Sequence, residues 1–145
     1  MSAHLFRLAS HNPRRARAYC AHHDLARRIA MVRDLIRPEE VSPLLTRQEA
    51  VLARTCGAAT AVTTVMQGLR ESGALRYERD PTRCDLWQSP RLTLERGCGD
   101  CEDSTFLAAS LAAALRCEPQ VVLYRCTPLS LALVSSGLCR TRQPT

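Results

Sequence analysis

The segment "TFLAASLAAALR", residues 105–116, constrains the fold more than any other part of the chain. Leu107, Leu111 and Leu115 recur every four residues with Phe106 beside them, and Ala108, Ala109, Ala112 and Ala113 let neighbours approach closely, so the segment predicts a buried helix. Glu118-Pro119 breaks it. Its start is set by "GCGDCEDS", residues 97–104, in which Asp100 serves as N-cap and Cys101 falls in the first turn. The most apolar helix of the chain therefore begins with a thiol.

Around that helix the chain builds one compact domain spanning residues 1–145, since 46% hydrophobic residues suffice for a core at this length. Aromatics are only 4%, so the core is built from Leu, Ala and Val, and an α+β fold with helix dominant is expected. Asn12-Pro13 opens a first helix carrying Ala16, Cys20, Ile29, Val32 and Ile36, ended by Pro38. Thr46 and Glu49 form a capping box ahead of Val51, Leu52, Ala58, Ala59, Val62, Val65, Met66 and Leu69. That pattern predicts one long, central helix closed at Gly73. "ALRYERDP" reads as a connector or short strand, and Ser89-Pro90 opens a brief helical turn that stops at Gly97. "QVVLYRC" and "LSLALV" read as strands.

The net charge is +6, and all 20 basic residues are arginine. Arg14, Arg15, Arg17, Arg27 and Arg28 would form a stripe on the first helix, read as a solvated face because no aromatic platform or recognition motif accompanies it; nucleic acid is not an expected partner. No run approaches membrane-spanning length. "MSAHLFRLASHNPRR" has no secretory apolar core, so the eight cysteines suggest a reduced, cytoplasmic compartment.

At a helix start, unpaired N–H groups and the dipole favour thiolate, so the Cys101 pKa should fall, with Glu102 and Asp103 opposing. The same N–H groups suit an oxyanion, and Gly97 and Gly99 would let a substrate carbonyl approach the backbone. Two other readings use the same thiol. Cys98 and Cys101 have metal-knuckle spacing, with Cys84 and Cys117 to complete four thiolates, but Cys117 stands at the far end of the helix, roughly 24 Å away. A redox Cys-x-x-Cys pair is the other, without the βαβ pattern that usually precedes one. Neither metal nor cofactor is expected, and Cys20, Cys56, Cys84, Cys117, Cys126 and Cys139 are read as small apolar fillers.

"LRYERDP", then "WQSPRLTLERGCGDCEDSTFLAASLAAALR", then "QVVLYR" resemble, in that order, the transglutaminase-like superfamily, especially small phage and bacterial members related to papain-like cysteine peptidases. The resemblance covers about residues 69–125. It implies a papain-like core whose nucleophile helix packs on a small antiparallel sheet, within residues 41–126, preceded by an arginine-rich helix over 1–40 and followed by a divergent tail over 127–145. It also implies a cysteine hydrolase or acyltransferase acting on amide bonds of a protein or peptide substrate, with Cys101 as nucleophile. Gly99, Asp100 and Asp103 match the family's motif around it, and Trp87 and Gln88 are candidates to shape the site or donate to the oxyanion. The family's histidine is missing downstream of Cys101, which leaves His22 and His23 as candidate bases. The alternative is a catalytically inactive structural or adaptor protein that keeps the fold, with a virion or assembly partner, virion-associated if phage-encoded.

Overall fold

The computed structural model describes residues 18–20, 25–80 and 86–121. The elements run β1 (Ala18–Cys20), α1 (Leu25–Leu35), α2 (Pro38–Val41), a 3₁₀ turn (Ser42–Leu44), α3 (Arg47–Cys56), α4 (Ala58–Glu71), β2 (Arg76–Tyr77), β3 (Leu86–Gln88), α5 (Pro90–Arg96), β4 (Cys98–Gly99) and α6 (Cys101–Ala114). The described part is mainly helical with two two-stranded sheets, an α+β arrangement. β1 pairs antiparallel with β3, placing Ala18 opposite Gln88 and Cys20 opposite Leu86. β2 pairs parallel with β4, placing Arg76 opposite Cys98 and Tyr77 opposite Gly99.

The apolar helix is α6, and its composition explains why it lies at the centre. A helix hydrophobic all round must be covered on every side, and two clusters cover it. Phe106 joins Met31, Val32 and Leu35 of α1 and Trp87 of β3, with the Trp87 and Phe106 ring centroids 5.3 Å apart. Leu107 and Leu111 join Val41 of α2, Met66 of α4 and Leu75. Ser110, fully buried, accepts a 2.8 Å hydrogen bond from the Arg37 amide and so pins the α1–α2 junction to α6.

Three expectations need correction. Cys20 lies in a strand, and the first helix among the described residues starts at Leu25 and carries Arg27 and Arg28. With a strand over Ala18–Cys20, the helix expected from Asn12-Pro13 is not continuous up to Arg28, and Arg28 turns inward, its guanidinium carbon 5.1 Å from the centre of the Trp87 ring. Asn12-Pro13, Arg14, Arg15 and Arg17 lie outside the described residues. The first helix does stop short of Pro38, at Leu35, but Pro38 also opens α2, where its missing N–H costs nothing.

The third correction concerns the long helix after Thr46. Its capping box is present, Thr46 accepting from the Gln48 amide and Glu49 reaching back. The helix is nonetheless cut in two, because Gly57 adopts φ 94°, ψ 153°, a conformation that ends α3 and starts α4. α3 carries no buried residue, and only α4, through Ala58, Ala61 and Met66, reaches the core. "QVVLYRC" is described only to Val121, which is not in a strand. "LSLALV" and the tail over 127–145 lie outside the described residues.

Candidate functional site

The site is assembled where β3, β4 and α5 meet the start of α6. Ser89 caps α5, accepting from the Leu92 amide with Pro90 at the first helical position, and Gly97 closes that helix in the left-handed region at φ 65°. Gly97 thus has a structural task other than admitting a substrate. The chain then runs through β4 and turns into α6 at Asp100, the N-cap as expected: its Oδ1 accepts from the amides of Glu102 at 3.1 Å and Asp103 at 3.4 Å. Cys101 is the first residue of the helix, exposed and free.

Asp103 is the third helical residue and is fully buried. Its Oδ1 accepts from the Gln88 amide at 2.8 Å, and its Oδ2 accepts from the Gln88 side-chain Nε2 and, at 3.3 Å, from the Asp100 amide. Gly99 makes the room for it, since a Cβ at position 99 would lie 2.7 Å from both the Cβ and the Oδ2 of Asp103. The glycine before the N-cap is therefore required by the packing of a carboxylate, whatever approaches from outside.

Gln88 is buried, and its amide is used at both ends, Nε2 on Asp103 and Oε1 on the Arg96 guanidinium at 2.7 Å. Arg96 in turn pairs with Glu78 at 3.6 Å. The side chain expected to offer a donor to an oxyanion is thus held in a buried network. Trp87 is also buried, covered by Phe106 and Arg28.

The thiol's own surroundings run against expectation. Cys101 donates to the Glu102 carboxylate, Sγ to Oε2 2.8 Å. Partial burial, that hydrogen bond and the negative charges of Glu102 and Asp100 push the thiol up to about 12. The helix dipole was expected to lower it, but burial, with a carboxylate in direct contact with the sulfur, outweighs partial charges shared among several amides. Burial also raises Glu102, and burial raises Asp103 to about 7 despite the bonds from Gln88.

The other thiols separate cleanly. Burial and a hydrogen bond to Glu78 push Cys98 up, so Cys98 and Cys101 address different carboxylates, which does not favour a redox pair. Cys117 is disulfide-bonded, so it is neither an apolar filler nor a thiolate for zinc. Cys56 is exposed at the end of α3 and is not a filler either. Cys84 lies outside the described residues. Asp100, Cys101 and Glu102 offer the one grouping of metal-ligand atoms among the described residues, within 4.8 Å of one another. Capping and the thiol hydrogen bond already occupy that grouping, and no metal is assigned to it.

All four histidines lie outside the described residues. β1, which ends two residues before His22, runs beside the strand that holds Asp103. No sequence motif announces the Asp103–Gln88–Arg96 network. Asp100 as the helix cap was legible, but the burial of Asp103 and its partner 15 residues upstream were not. An open hollow of about 400 Å³ lies along α3, lined by Arg47, Gln48, Val51, Leu52 and Thr55, none of which belongs to the thiol site. Among the described residues no helix is long and apolar enough to cross a membrane. No protein-family model, curated protein or solved structure matches the chain.

Proposed function

We propose that the chain is a transglutaminase-like, papain-related thiol protein, a hydrolase or acyltransferase in which Cys101 attacks an amide or ester carbonyl and Glu102 takes the proton. The observation that carries this reading is the exposed thiol on the first residue of a doubly capped helix, bonded at 2.8 Å to a carboxylate. A thiol at about 12 is not ionised near neutrality, so attack and proton transfer go together. The S–C bond forms as the thiol proton passes to Glu102, and the carbonyl π pair moves to oxygen, facing the positive end of α6. Collapse expels the amine or alcohol, which takes the proton back from Glu102 and leaves a thioester. Water or an amine then adds with Glu102 again accepting a proton, and the sulfur departs with that proton.

A thiol-directed acyl probe followed by mass mapping tests the reading. Labelling at Cys101 with turnover of an amide or activated ester, lost in Cys101→Ala and slowed about a hundredfold in Glu102→Gln, is the expected result. Labelling without turnover of either substrate by the full chain would refute it. Substituting His22 and His23 by Gln asks whether an imidazole contributes, since loss of turnover there would replace Glu102 as the base.

A second reading has its own support. The thiol's partner is a carboxylate, the thiol is raised, and the Gln88 amide is committed at both ends, as suits an inactive adaptor or assembly protein that keeps the fold. Cys101→Ala separates the two, because an adaptor retains its partner binding.

A further inference from the structure

Asp103 is a titratable group that the proposed chemistry does not use. It has no surface exposure, yet three N–H groups converge on its two oxygens: the backbone and side-chain donors of Gln88 and the amide of the helix cap, Asp100. Both donor residues precede Cys101 in the chain, Gln88 at the end of β3 and Asp100 as the cap immediately before the thiol. The carboxylate is therefore a tie between β3 and the residue immediately before the thiol, and the missing side chain at Gly99 is the space in which it sits.

We propose that Asp103 is the positioning residue of the thiol site, holding the turn from Gly99 to Cys101 against β3, so that the setting of the Cys101 sulfur follows the protonation state of this buried carboxylate. The groups around it are few. Asp100 and Glu102 lie on its own helix, Cys98 on β4, and Arg96 of α5 is reached only through Gln88 and shared with Glu78. No positive side chain bonds directly to the Asp103 oxygens among the described residues, where the donors are the two backbone amides and the neutral amide of Gln88. Burial without a bonded cation favours the neutral acid, and Asp103 is raised to about 7. The linkage has one sign. A carboxyl that holds its proton more tightly when the turn is closed than when it is open makes the closed turn firmer in acid and easier to open once ionised.

This inference rests on Cys101 as the reactive group, but it is read without acyl chemistry. In the full chain, the ¹³Cγ resonance of Asp103 titrates near neutrality. Exchange of the Cys101, Glu102 and Asp103 amides, corrected for intrinsic rates, becomes about tenfold faster between about pH 6 and pH 8. The rate of Cys101 alkylation by iodoacetamide departs from unit slope against pH at the same midpoint. Asp103→Asn removes that departure while Cys101 is still alkylated. Gln88→Leu, which deletes a donor to the charged form, moves the midpoint upward and serves if the Asn variant does not fold. Replacing His4, His11, His22 and His23 by Gln leaves the departure in place. An Asp103 resonance titrating below about pH 5, or an Asn variant with the unmodified profile, overturns the inference. Failure of acyl turnover alone overturns only the proposed reaction.

Discussion

Replacing Gly99 by alanine isolates the tight fit beneath the thiol. The added Cβ would stand 2.7 Å from the Asp103 Cβ and 2.7 Å from its Oδ2, whereas ordinary contact begins at 3.4 Å. Something must move by at least about 0.7 Å in a close-packed interior. If Asp103 moves, its 2.8 Å bond from the Gln88 amide stretches to the edge of hydrogen-bonding range. Overpacking costs about 1–3 kcal/mol, and weakening a hydrogen bond to a charged group adds about 1.5 kcal/mol, so Gly99→Ala should destabilise by about 3 kcal/mol. Urea unfolding followed by Trp87, the only tryptophan and a near neighbour of the site, would show a midpoint lower by about 1.5 M for an m of about 2 kcal/mol/M. Gly68→Ala is the control. Gly68 lies within α4 with nothing within 4 Å of a built Cβ, so the same substitution should stabilise by up to about 1 kcal/mol. A Gly99→Ala midpoint equal to that of the unmodified chain would refute the packing of Asp103 against residue 99.

Other expectations follow from the same contacts. Alkylation of Cys101 should rise with pH well past 9 without a plateau, and Glu102→Gln should shift the curve to lower pH, because burial and the Glu102 contact raise the thiol; an unshifted curve would remove Glu102 as the cause. Asp103 has its folded value above its unfolded one, so its stabilising contribution is complete below about pH 4 and is lost as pH rises through about 7. Thermal unfolding of the unmodified chain should carry that slope, and the Asp103→Asn variant, less stable because an amide nitrogen would face an N–H donor, should lack it. Phe106→Ala, emptying the space between Trp87 and α1, should cost about 3–5 kcal/mol by denaturation and change Trp87 emission. Thr46→Ala should cost only about 1 kcal/mol, since it loses an exposed cap on a helix with no buried residue.

What the chain determines locally is everything that depends on neighbours within a turn or two. Asp100 as cap, Cys101 as first helical residue, the Thr46 capping box, the Ser89-Pro90 start and the Gly97 stop follow from side-chain hydrogen bonds and backbone preferences that span three or four residues. The apolar run from residue 105 likewise had to be buried, whatever covered it. Where local preference gave two answers, tertiary packing decided. The helical period across Gly57 continued in sequence, but that glycine could take positive φ and let α4 turn into the core while α3 stayed out. Cys20, at helical spacing, joined a strand because β3 offered an edge to pair with. The thiol's acidity was legible only in part: the adjacent Glu102 could be read as opposing the dipole, but only the fold says how much water is removed and that this carboxylate rests on the sulfur. The same holds for Asp103, whose partner strand lies 15 residues away and whose charge is set by burial that no spacing reveals.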